Sequence, residues 1–299
     1  MSLLRIVFFG STTDSLLVLE KLHPLGVVAV VTQPPRPIGR KQIITPTPVE
    51  TWAKTHNLPV LSFASDPASP SNYEHEQTVI DTLMPLKAGL LVSASYGQKI
   101  PSESIASAQC GGLNVHPSLL PHWRGADPVP WAILTGDHQT GVTVVTLSEK
   151  FDEGRIIAQK KLPIFETDYT DPLRARLFSL GAELLAEVLP DYINGKNKGT
   201  PQKKNETSLY ARRLTRQDGF EPWETVLKAM SDEEEARRID RKFRAFDPWP
   251  GVWTIAGKEQ KRLKIIACHL EKNLFILDTV QVEGKNPIPW KQFSEAYLS

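Results

Sequence analysis

At 299 residues and 33.4 kDa, with 40% hydrophobic and 23% charged residues, the chain has the size and make-up of a two-domain globular protein and excludes a disordered one. Its 35 basic and 34 acidic residues leave a net charge of +1, so any polyanion-binding surface has to be local. Cys110 and Cys268 lie far apart without CxxC spacing, no stretch reaches the roughly 18 apolar residues of a membrane span, and the N-terminal MSLLRIVFFGS has no small-residue cleavage site. These features predict a soluble, untargeted protein of the reducing cytoplasm without disulfides or structural zinc.

In chain order, LLRIVFFG (3–10), the apolar spacing of Leu16, Leu17, Leu19 and Leu22, and GVVAVVT (26–32) predict strand, helix and strand, the opening of a parallel sheet. PVETWAKTHN (48–57) and EQTVIDTLMPL (76–86) read as helices; AGLLVSAS (88–95), GGLNVHPS (111–118) and TGVTVVTLSE (140–149) read as further strands. This alternation predicts an α/β domain with helices on both faces of the sheet. A long amphipathic helix (171–195) runs into the polar NGKNKGTPQKKNETS (194–208), which suits an exposed linker. Beyond it, SDEEEARRIDRKFRAF (231–246) predicts a helix, and VWTI, RLKIIACHL and NLFILDTVQV predict short antiparallel strands, together a small helix-plus-barrel domain for which barrels of the oligonucleotide-binding type are one candidate. The expected division is 1–193, a linker at 194–208, and 209–299.

Asn114 and His116 stand two apart at the end of a strand, so their side chains share a face. Ligand crevices of open parallel sheets lie beyond the carboxyl strand ends, and this pair falls at one. FDEGRII puts Asp152 and Gly154 straight after the next strand, so neighbouring strand ends are expected to bring Asp152 toward the pair. Amide, imidazole and carboxylate in one crevice suit acyl-type transfer: Asn and His donate to a developing oxyanion while the carboxylate orients the imidazole or relays a proton. The turn FFGSTTDS lacks both GxGxxG and GK[ST], and the seven histidines show no metal spacing, so no dinucleotide, P-loop or metal site is expected. Residues 196–216 hold seven Lys or Arg against Glu206 alone, a window that reads as a solvated linker or as a phosphate-backbone contact. A second basic stretch, RPIGRK (36–41), sits in a long proline-punctuated loop.

NVHPSLLP…RGADPVPWAI, VTQPPRPIGR…TPTPV, SASYGQKIP, FDEGRII, SLYARRLTRQDG, RAFDPWPGVWT and VQVEGKNP occur in an order that resembles the methionyl-tRNA formyltransferases over almost the whole chain. The resemblance implies a Rossmann-like formyltransferase domain of mainly parallel sheet and a smaller OB-like β-barrel domain that binds tRNA. It also implies formyl transfer from 10-formyltetrahydrofolate to the methionine amino group of initiator methionyl-tRNA; separately, a monomer is expected. Residue by residue it implies Asn114, His116 and Asp152 as catalytic. Ser118, Leu119, Leu120, Pro121, Tyr96 and Gly97 become folate contacts, and Arg36, Arg40, Lys41, Lys203, Lys204, Arg212 and Arg213 contact tRNA. The chain departs from the common pattern at Pro35, Trp123, Asp127 and the GSTTDSLL turn. The rival readings are an N-formyltransferase acting on a nucleotide-linked amino sugar and a non-catalytic tRNA-binding protein that kept the fold. Residues 209–299 go unexplained in a purine-pathway formyltransferase.

Overall fold

The structure, a computed structural model, describes residues 4–39, 41–203, 208–257 and 260–298. Residue–residue contacts divide the chain into two units: Met1–Ala126 with Gln139–Pro163 and Arg174–Ala211, and Asp127–His138 with Ile164–Leu173 and Arg212–Ser299.

The first unit is built on seven strands: β1 (Ile6–Phe9), β2 (Val27–Thr32), β3 (Val60–Ser62), β4 (Leu90–Ala94), β5 (Gly112–His116), β6 (Gln139–Thr146) and β7 (Ile156–Pro163). They lie in the order β7-β6-β5-β4-β1-β2-β3. β1 to β5 are parallel, and their near-continuous Val, Leu, Ile and Phe suit strands buried on both faces. Helix α1 (Thr13–Leu22) starts at a capping box of Thr12 and Ser15 and buries Val18, Leu19 and Leu22. α2 (Pro48–Thr55) follows the Thr47 cap with proline in its first turn. Further helices of this unit are α3 (Glu76–Leu83), α4 (Ser102–Ser107) and, from Arg174 on, the long α6 (Thr170–Ile193); α5 (Pro128–Thr135) falls in the second unit. Phe178, Ala182, Leu185 and Leu189 of α6 join Leu113, Val115, Val142 and Val144 in one core. Gly181 permits this approach, because a Cβ there would stand 2.4 Å from Val115 Cγ1 and 2.8 Å from Val142 Cγ2. The alternation of β5 therefore turns Leu113 and Val115 to the α6 face and Asn114 and His116 to the opposite one.

The sheet is mainly parallel, as expected, with two antiparallel strands at one edge: β6 is antiparallel to β5, with Thr143 beside His116 and Thr146 beside Leu113, and β7 is antiparallel to β6. The only helix between β5 and β6, α5, belongs to the second unit, so no crossover carries the chain back along the sheet and it returns at the end it left.

In the second unit α7 (Trp223–Ala229) and α8 (Glu233–Phe246) pack with a four-stranded antiparallel sheet, β8 (Trp253–Ala256), β9 (Lys261–Glu271), β10 (Leu274–Val282) and β11 (Ile288–Pro289), and with α9 (Trp290–Tyr297). Val226, Ile239, Phe243, Leu263, Ile265, Phe275, Leu277 and Val280 fill its core. Glu221 is buried beneath α8 and takes hydrogen bonds from Arg238 and from Lys242 Nζ, the latter at 2.7 Å. Burial pushes its carboxyl up, but these donors outweigh it and hold the group below the usual range. Among the described residues no helix is long and apolar enough to cross a membrane.

Candidate active site

The face of β5 opposite α6 carries Asn114 and His116, and the chain covers it with two connections. The first is the loop 117–126 that leaves β5; the second is the turn 147–155 between β6 and β7. Because β6 is antiparallel, that second turn starts beside Leu113, at the far end of β5 from His116. Asp152 thus follows the carboxyl end of the neighbouring strand β6, and because that end lies beside Leu113 the turn folds back across the face to reach the pair.

The fold-back rests on backbone geometry. Asp152 has φ +57°, a left-handed conformation that Asp tolerates better than most residues. Gly154 lies so close to β6 that a Cβ would stand 1.8 Å from Thr146 O, which makes glycine obligatory there. Thr146 Oγ1 accepts from Arg155 N at 2.8 Å and closes the turn.

Asp152 then joins the pair. Asn114 Nδ2 donates to Asp152 Oδ1 at 3.3 Å, His116 Nδ1 lies 3.4 Å from the same oxygen, and Gly125 N donates to Oδ2 at 3.0 Å. The imidazole and carboxylate are 5% and 8% exposed, so the contacts act with little screening by water. His116 Nε2 lies 2.9 Å from Trp123 O. A carbonyl only accepts, which assigns a proton to Nε2 and makes Nδ1, facing Asp152, the nitrogen that can gain or release one. Both imidazole nitrogens thus have partners within the protein, while Asn114 keeps one N–H and its carbonyl oxygen without a partner among the described residues. The donor that faces the site is the amide.

Beyond His116 the loop is pinned. Buried Ser118 donates Oγ to His122 O at 2.7 Å; Thr143 Oγ1 donates to Ser118 O at 2.6 Å and accepts from Leu120 N at 3.1 Å; Gln159 Nε2 donates to Leu120 O at 2.8 Å. Leu119 and Pro121 are half-buried. Tyr96 is sealed in the core, its hydroxyl taking a 3.0 Å hydrogen bond from Tyr73 Oη, and burial raises its phenol well above the usual range. Its side chain is thus committed to the fold, whereas neighbouring Gly97, at φ +88°, is exposed.

The basic residues fall in several places. Arg36 and Lys41 are exposed, Arg36 in a hairpin of Arg36–Ile38 with Ile43–Thr45; Lys203 is exposed, and Arg40 and Lys204 lie outside the described residues. Arg212 and Arg213 belong to the second unit. Arg212 is already paired: it grips Asp218 with both terminal nitrogens and lies over the Trp131 ring at 4.9 Å. The same contact holds the Asp218 carboxyl well below the usual range.

Sequence reasoning missed the groups that hold the cluster, namely Trp123 O, Gly125 N, Arg124 and Gln202. Backbone partners leave no side-chain signature, and Arg124 and Gln202 reach the cluster only through contacts between distant parts of the chain.

Residues 4–189 match the formyl transferase family and residues 232–275 match the formyl transferase C-terminal domain, and the chain belongs to the formyl transferase family. Within that family it is 38% identical over 266 residues to a methionyl-tRNA formyltransferase of Listeria monocytogenes serovar 1/2a, covering 87% of this chain and 78% of the relative. To the methionyl-tRNA formyltransferase of Roseiflexus castenholzii it is 36% identical, covering 96% of this chain and 94% of the relative. Among solved structures, a 4-N formyltransferase from Francisella tularensis superposes with a TM-score of 0.65 at 18% identity, over 91% of this chain and all of the other. HypX from Aquifex aeolicus in complex with tetrahydrofolic acid gives 0.63 at 17% identity; this chain spans about half of its length, 48%. These two likenesses bear on fold alone.

Proposed function

We propose that the protein transfers a formyl group from 10-formyltetrahydrofolate to the α-amino group of methionine on initiator tRNA, as a cytoplasmic monomer. The carrying observation is the Asn114–Asp152–His116 cluster, tied to Trp123 O and Gly125 N. Sequence likeness to methionyl-tRNA formyltransferases along both units supports this acceptor.

In the reaction a new C–N bond forms between the methionyl nitrogen and the formyl carbon, and the bond from that carbon to the folate nitrogen breaks. Asn114 presents its remaining N–H to the oxygen that becomes negative in the tetrahedral intermediate. The Asp152–His116 Nδ1 pair takes the proton lost by the amine and returns it to the departing folate nitrogen, so charge and protons balance. No nucleophilic side chain is required, because the amine supplies the electron pair. The segment Ser118–Pro121, held by Thr143 and Gln159, and the exposed turn at Gly97 form the folate side of this reading.

Residues 1–193 act as the catalytic part and 209–299 as the tRNA-binding part, joined through 194–208. Arg36, Arg40 and Lys41, with Lys203, Lys204 and Arg213, supply phosphate contacts. The test is to follow tetrahydrofolate release with the formyl donor and either charged initiator tRNA or a nucleotide-linked amino sugar. Turnover with the tRNA is expected; turnover with the sugar alone would overturn the acceptor.

A further inference from the structure

The polar segment 197–202 lies along the start of β7. Thr200 exchanges backbone hydrogen bonds with Ile156 at 2.8 and 2.9 Å, Asn197 Nδ2 donates to Ile157 O at 3.2 Å, and Arg155 donates to the carbonyls of Lys198 and Gly199 at 2.8 and 2.7 Å. Gln202 ends this run with every hydrogen-bonding position of its amide used. Nε2 donates to Asp152 O at 2.7 Å and to Gly154 O at 2.8 Å, while Oε1 accepts from Arg124 Nε at 3.0 Å and Nη2 at 2.6 Å.

These four contacts close on both sides of one carboxylate. Two bind the backbone of the turn that carries Asp152. The other two bind Arg124, whose Nη1 donates to Glu153 Oε1 at 3.3 Å and whose neighbour Gly125 donates its N–H to Asp152 Oδ2. A left-handed Asp persists only where surrounding contacts over-determine it, and Gln202 supplies two of them at the residue itself and two residues on. We infer that Gln202 is the positioning residue of Asp152: it touches neither reacting group, and sets the carboxylate against His116 and Asn114 by clamping the Asp152–Gly154 carbonyls to Arg124. The inference rests on the formyl-transfer reading for its kinetic readout.

The discriminating variant is Gln202→Glu, which keeps an acceptor for Arg124 and loses both donated bonds. With formyl donor and charged initiator tRNA, kcat is expected to fall about 10- to 100-fold, since misplacement on the order of 1 Å carries a cost of that size, while both KM values stay near wild type. In an Asp152→Asn background the same change is expected to add little, because it acts through Asp152. A Gln202→Glu protein with wild-type kcat, or a loss that adds in full to that of Asp152→Asn, overturns the inference. Amide hydrogen exchange reads the clamp without any substrate: the variant is expected to exchange faster at Glu153–Arg155, and unchanged exchange also overturns it. Should Gln202→Glu not fold, Arg124→Met frees Oε1 while leaving both donated bonds, and a smaller loss on the same kinetic and background tests is expected; wild-type kcat there overturns the inference. Failure of the wild-type protein to formylate the tRNA would instead strike the acceptor reading, leaving exchange to decide the clamp.

Discussion

In the proposed reaction Asn114 is the residue on which the chemistry turns, because it keeps one N–H without a partner among the described residues. Asn114→Ala is expected to lower kcat by about 10²- to 10³-fold, the usual cost of one oxyanion donor, with thermal unfolding close to wild type since its bond to Asp152 is a long one. Wild-type turnover by a folded Asn114→Ala protein would end its assignment. Glu221 is the corresponding residue for the second unit. Its carboxyl is held low by Arg238 and Lys242 against the upward push of burial, so the stability it adds is present above the ordinary carboxylate range, near pH 4, and is lost as pH falls through its lower folded value. Glu221→Gln is therefore expected to destabilise the unit at neutral pH and to flatten the acid limb of its unfolding curve, as followed by circular dichroism against pH; an unchanged acid limb would remove Glu221 from that role. Asn114 and His116 were legible in the sequence because period-two side-chain alternation is a local property. Trp123 O and Gly125 N were not, because a backbone group looks the same at every position.

At the scale of elements, the turn between β6 and β7 carries Asp152, the carboxylate of the proposed reaction, and stores the constraint. Gly154→Ala would drive a Cβ into Thr146 O at 1.8 Å, so the turn has to move and Asp152 moves with it. We expect a loss of stability of about 1–3 kcal/mol, typical of overpacking, together with a fall in kcat larger than stability alone accounts for. Urea unfolding and steady-state kinetics on one preparation separate the two effects, and a stability loss with intact kcat would show that Asp152 is held independently of the turn. The strands and long helices were readable from apolar periodicity, including β5, α6 and α8. The direction of β6 was not, because alternation reports which face is buried and is blind to which way a strand runs.

For the whole molecule, a net charge of +1 means that the proposed tRNA affinity has to come from local basic positions rather than from a global field. Binding of charged tRNA is expected to weaken steeply with salt, and Arg36→Ala or Lys203→Ala to reduce the slope of log K against log salt by about 1 each, in proportion to the lost phosphate contact. Arg212→Ala is expected to leave that slope unchanged and to destabilise the second unit, because its guanidinium is already spent on Asp218 and Trp131. Filter binding across a salt series reads both; a slope that falls with Arg212→Ala would return that residue to the tRNA surface.

What the sequence by itself determined is what neighbouring residues decide: buried strands from runs of Val, Leu and Ile, helices from apolar spacing and caps, the shared face of Asn114 and His116, and a family resemblance carried by ordered motifs. The tertiary structure alone decided the rest. It returned β6 antiparallel, folded the Asp152 turn back over β5, brought Gln202 to Asp152 across a separation of 50 residues, and neutralised Arg212 with Asp218. The physical reason is that these outcomes rest on hydrogen bonds and ion pairs closed between distant parts of the chain, which local periodicity does not encode.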